Sequence, residues 1–232
     1  MKVKFFGIIS LLLSMSLITP VHANELNYAA CKQFSNSIMY FSPGLDGWHR
    51  EHAAMLYQEL PVDFRSALHH AGVKVYSFSE EESGFRAEKY AGTTFLNQYR
   101  TITDGYLTSL TIEVYAEIYN PERCKLYDEA LIHEIGHCFD ETYNGGLPCT
   151  GHAGSISDMH EWREIMKEEI WEISSLNRMS KANCYNPAET FAEAFVGVIQ
   201  KPMSTAKKCP KSYTFIIKRM MDYIEYHHGT PN

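Results

Sequence analysis

His133-Glu134-Ile135-Gly136-His137 places two histidines four residues apart with a glutamate beside the first. On a helix, positions i and i+4 share a face, so both imidazoles can reach one metal ion. Glu134 lies next to that face, where its carboxylate can take a proton from water. A catalytic zinc takes three protein ligands and leaves a fourth position open, and the motif supplies two. So short a pattern also fits a plain helix carrying two surface histidines. Its neighbours argue otherwise. Leu131, Ile132, Ile135 and Phe139 make the helix a buried one. Gly136 inside it costs roughly 1 kcal/mol against alanine, which implies that another element packs closely there.

A second acidic segment follows in Glu189-Thr190-Phe191-Ala192-Glu193-Ala194-Phe195. Glu189 and Glu193 share one helical face, and Phe191, Phe195 and Val198 lie on a neighbouring one. One carboxylate can bind the metal while the other hydrogen-bonds the outer nitrogen of a ligand histidine, fixing its tautomer. Alone, such a pair would read as a solvated acidic face.

His133-Glu-Ile-Gly-His137-Cys-Phe-Asp140, then Lys167-Glu-Glu169, then Glu189-Thr-Phe-Ala-Glu-Ala-Phe195 resemble the catalytic domain of anthrax lethal factor and the smaller secreted Pro-Pro endopeptidases. The resemblance spans about residues 60–200, and the two helices are its specific part. It implies one zinc ion per chain, endopeptidase activity and a two-lobed zincin-type fold with the active-site helix in the cleft. It makes Glu189 the third ligand beside His133 and His137, and Glu134 the catalytic base. Glu193 becomes the acid behind a ligand histidine, and Asp140 the acid three residues after the second histidine. The family sets an oxyanion-stabilising tyrosine seven residues before the ligand glutamate. Ala182 holds that position here. The nearest tyrosine is Tyr185, four before, and Tyr143 is the other candidate.

Helical spacing is expected across 50–70, broken at Pro61. Val73 to Phe78 reads as a strand. Thr108 to Tyr119 alternates apolar and polar residues and reads as a half-buried strand. Taken as a sheet edge, its 110–118 stretch could pair with an extended peptide. Further helices are expected from about Asp128 to Phe139, over 158–175, from Asn186-Pro187 to Ile199, and from Tyr213 to Tyr226. Strands in the first half and helices in the second give an α+β protein, a small twisted sheet followed by a helical half. Glu168 and Glu169 read as a solvated helix face. The other histidines and the tryptophans read as surface or packing residues, and Ser155 and Ser157 lack the context of a serine nucleophile.

The chain opens with Lys2 and Lys4, an apolar run from Phe5 to Ile18, and a small residue at Ala23. That is the layout of a signal peptide cleaved after Ala23, leaving residues 24–232 as one secreted or periplasmic domain. Without Lys2 and Lys4 the formal charge of −7 becomes −9, a poor match for nucleic acid. Six cysteines in an exported chain are expected to form three disulfides. The favoured pairs are Cys138–Cys149, Cys31–Cys124 and Cys184–Cys209. The expected partner is a peptide or protein substrate, and the chain is expected to act as a monomer with no membrane insertion after cleavage. Two other readings stay open: a zinc amidase acting on cell-wall peptide, and a non-catalytic module stabilised by zinc.

Overall fold

The computed structural model describes residues 27–79, 82, 98–103, 106–116, 121–143, 154–176 and 185–229; for 28, 98–103, 106–116, 121–128, 130, 228 and 229 it gives the backbone. The expected leader at 1–23 lies outside the described residues. Five strands form one mixed sheet: β1 (Lys32–Gln33), β2 (Met39–Phe41), β3 (Val73–Ser79), β4 (Gln98–Thr103) and β5 (Tyr106–Ala116). Their order is β1-β2-β3-β5-β4. β3 runs parallel to both β2 and β5, with Val75 opposite Met39 and Ile112. β1 and β4 add antiparallel edges.

The parallel step from β2 to β3 needs a crossover, and two helices make it. Helix α1 (Gly47–Glu59) starts where the Asp46 carboxylate accepts from the His49 amide. Pro61 separates it from α2 (Val62–His70), since a proline has no amide to continue the ladder. Val73 and Val75 send their side chains to the helical layer, and Lys74 between them is exposed.

The alternating strand of the sequence is β5, and it lies inside the sheet. Its two sides are taken by β3 and β4, so β4 is the edge and the expected edge role of 110–118 is corrected. Alternation marks a strand's buried face and carries no information on whether the strand is an edge, which only the pairing decides.

The helical half begins with α3 (Pro121–Thr142), seven residues before the periodicity shows it; Pro121 at its first position is a helix-start signal. A 3-10 turn (Ile156–Asp158) leads into α4 (His160–Leu176). Then come α5 (Pro187–Gln200), the short α6 (Pro202–Lys208) and α7 (Pro210–Gly229). Phe139 of α3 is the hub of their packing. Its ring meets Phe64 at 5.0 Å, Phe191 and Phe195 at 5.8 Å, and Tyr223 at 5.1 Å. Four fully buried aromatic partners from α2, α5 and α7 thus fix how α3 sits.

Glu169 of α4 is buried, which corrects its reading as part of a solvated face. Its carboxylate accepts from the amides of Lys211 and Ser212 at 2.9 Å and from the Ser212 hydroxyl at 2.7 Å. It therefore caps the start of α7 from another helix, at the dipole end that favours a negative charge. Glu168 does face solvent and pairs with Lys211. No helix among the described residues is long and apolar enough to cross a membrane.

Candidate metal centre

Helix α3 buries Leu131, Ile132, Ile135, Cys138 and Phe139 completely. With that stripe inward, His133 and His137 come onto one face, their rings 4.7 Å apart. Their Nε2 atoms approach to 3.0 Å. Helix α5 crosses this face at Gly136. A methyl group there would meet the Ala192 Cα and the Phe195 ring at 3.1 Å. The glycine lets the two helices touch backbone to backbone, as its place in the sequence implied.

The start of α5 is defined by Asn186, whose side chain accepts from the Ala188 amide at 3.0 Å, with Pro187 following at the first helical position. Glu189 in that first turn faces both histidines. One of its oxygens is 3.3 Å from His133 Nε2 and the other 3.5 Å from His137 Nε2. One ligand atom from each of His133, His137 and Glu189 lies within 4.8 Å of the other two. Tetrahedral ligands at zinc distances of about 2.0–2.1 Å sit about 3.3 Å from one another, so the spacing fits such an ion. It is the one group of this kind among the described residues.

Glu193, a turn further along α5, places Oε1 3.3 Å from His133 Nδ1. His133 is thus held on both ring nitrogens, its outer one by a carboxylate. Glu134 is buried, and its Oε2 has no hydrogen-bond partner among the described residues. A buried, unpaired carboxylate oxygen is costly unless something at the site uses it.

The electrostatics describe a site short of positive charge. Burial alone would lower the His133 pKa, but Glu189, Glu193 and Glu134 outweigh it and raise it to about 10. Burial and the neighbouring His133 push His137 down. Burial lifts Glu134 to about 7, with His133 opposing and Glu189 and Glu193 adding to the rise. A hydrogen bond from His133 leads the lowering of Glu189, against its burial. Glu134, Glu189 and Glu193 thus gather beside two buried imidazoles, an acid-rich cluster of the kind a divalent cation would balance.

Asp140, Tyr143 and Tyr185 are not among the three clustered ligand candidates. Asp140 is buried on the far turn of α3, where it accepts from the Ser157 amide at 2.7 Å. That bond ties α3 to the 3-10 turn. The Tyr143 hydroxyl is engaged by α7, donating to Asp222 at 3.2 Å and accepting from Arg219 at 3.4 Å. Tyr185 is 71% exposed, and no hydrogen bond among the described residues holds its phenol. Cys31, Cys138 and Cys209 are free thiols, so the three expected disulfides are not found at them. Cys138 is enclosed on the buried stripe of α3. Cys149 and Cys184 lie outside the described residues, as does the side chain of Cys124.

No protein-family model matches the sequence. No curated protein matches it either. Among solved structures, a Pro-Pro endopeptidase from Paenibacillus alvei is similar, at 15% identity and a TM-score of 0.48, over 78% of this chain and 96% of that one. A likeness that remote assigns no chemistry to this chain.

Proposed function

We propose that this chain is an exported zinc endopeptidase. The observation that carries the proposal is the meeting of His133, His137 and Glu189 beside a buried Glu134 carboxylate with an unpaired oxygen. A module that held zinc for stability alone would have no use for that fourth, charged group. The resemblance of both helices to lethal factor and the Pro-Pro endopeptidases points to peptide bonds as the substrate.

Zinc held by His133, His137 and Glu189 would supply a Lewis acid that polarises the scissile carbonyl and lowers the pKa of water. Glu134 takes the proton of the attacking water and returns it to the leaving amine. Glu193 holds the outer nitrogen of His133 and keeps the inner one free to bind metal. Tyr185, one turn ahead of Glu189, donates to the developing oxyanion, since the Tyr143 hydroxyl is committed to α7.

The test is cleavage of a mixed peptide library by purified protein, followed by mass spectrometry, with and without chelator. Cleavage that chelator abolishes and zinc restores is expected. Glu134→Ala should keep its zinc and its fold and lose the cleavage. Zinc binding without cleavage by the wild-type chain would favour the binding module, and cleavage confined to cell-wall peptides would favour the amidase. Wild-type rates in Glu134→Ala would end the mechanism.

A further inference from the structure

Trp162, the third residue of α4, is fully enclosed, its ring 5.3 Å from Phe191 and 5.6 Å from Phe215. An enclosed indole N–H needs an acceptor. Its acceptor is the carbonyl of Pro187, at 3.0 Å. Pro187 opens α5, and Glu189 stands two residues further along the same turn. The Asn186 cap fixes where α5 starts along its axis; the indole fixes where that first turn sits against α4.

Five residues before Trp162, Ser157 donates its amide to Asp140 of α3 at 2.7 Å. The segment from Ser157 to Trp162 therefore grips both helices of the metal centre. One grip holds the helix of His133 and His137, and the other holds the turn of Glu189. The distance from Glu189 to the histidines is set at one end by the Gly136 contact and at the other by these two hydrogen bonds in series. We infer that Trp162 is a positioning residue for the metal centre, acting through the Pro187 carbonyl to hold Glu189 at ligand distance from His133 and His137. The inference rests on the reading of Glu189 as a metal ligand.

The two claims separate in a zinc titration of chelator-stripped protein, with the melting temperature of each metal-free variant measured beside it. Trp162→Phe keeps an aromatic ring and removes the N–H. Partners behind metal ligands contribute roughly 10–100-fold in affinity, so its zinc dissociation constant should rise about tenfold. Phe215→Leu is the packing control, since Phe215 touches the same ring without a hydrogen bond; its zinc affinity should stay within about twofold of wild type. In a Glu189→Ala background, adding Trp162→Phe should weaken zinc no further, because the ligand it places is gone. Should Trp162→Phe fail to fold, 3-benzothienylalanine at position 162, which exchanges only the N–H for sulfur, takes its place. Wild-type affinity in the variant lacking the N–H, or an equal loss in Phe215→Leu, would overturn the positioning role. Wild-type affinity in Glu189→Ala would instead overturn the metal site.

Discussion

Glu189 and Glu193 are one helical turn apart on α5, and their distances divide their work. Glu189 addresses the inner nitrogens of both histidines, and Glu193 the outer nitrogen of His133 alone. Glu189→Ala should therefore lose most bound zinc, whereas Glu193→Ala should weaken it by roughly 10–100-fold. Competition against a chromophoric chelator measures both. The reverse ranking would exchange their roles. Spacing alone showed that one of the two carboxylates could reach a metal and the other a histidine; the resemblance to the lethal factor family implied which was which. The bond from Ser157 to Asp140 could not be read that way, because it comes from a turn that no local pattern connects to α3.

Among the elements, the α3–α5 contact is the one that builds the centre, and Gly136 controls it. Alanine there would gain about 1 kcal/mol of helix propensity. The methyl would also press on the Ala192 backbone at 3.1 Å, and overpacking a tight core costs typically about 1–3 kcal/mol. The backbone of a buried helix yields little, so Gly136→Ala should melt lower and bind zinc more weakly. A higher melting temperature would show that the helices have room to part. The cap of α7 by Glu169 is a second such joint. Glu169→Ala strands two amides and a buried hydroxyl, at about 1–3 kcal/mol. For a chain of this size that lowers the melting temperature by about 2–4 °C per kcal/mol. Its zinc affinity should not change, since Glu169 touches neither ligand helix through these bonds. The signal for this residue was present but weak. Trp162, Ile165, Glu169 and Ile173 follow the i, i+3, i+4 rule of the inward stripe, and charge alone placed Glu169 outside it.

Across the whole molecule, the α+β class and the long helices follow from periodicity, because an amphipathic helix declares its buried face in its own sequence. The order of the strands does not, since pairing depends on partners far along the chain. The alternation of β5 reports one buried face and not its place in the sheet, which is between β3 and β4. The cluster of His133, His137 and Glu189, which could hold a metal ion, was legible for the same reason that the sheet was not: its residues come from two helices, each with a local signature. What the sequence could not give is the set of joints between elements, namely Asp140 to Ser157, Trp162 to Pro187 and Glu169 to α7.

The central claim is one zinc ion held by two imidazoles and a carboxylate, and X-ray absorption at the zinc edge on purified protein reads that environment directly. One zinc per chain is expected, with a shell of nitrogen and oxygen at about 2.0–2.1 Å and the outer-shell pattern of two imidazoles. A sulfur shell near 2.3 Å, which would bring cysteine to the metal, would contradict the account, as would purified and zinc-supplied protein that holds no stoichiometric metal.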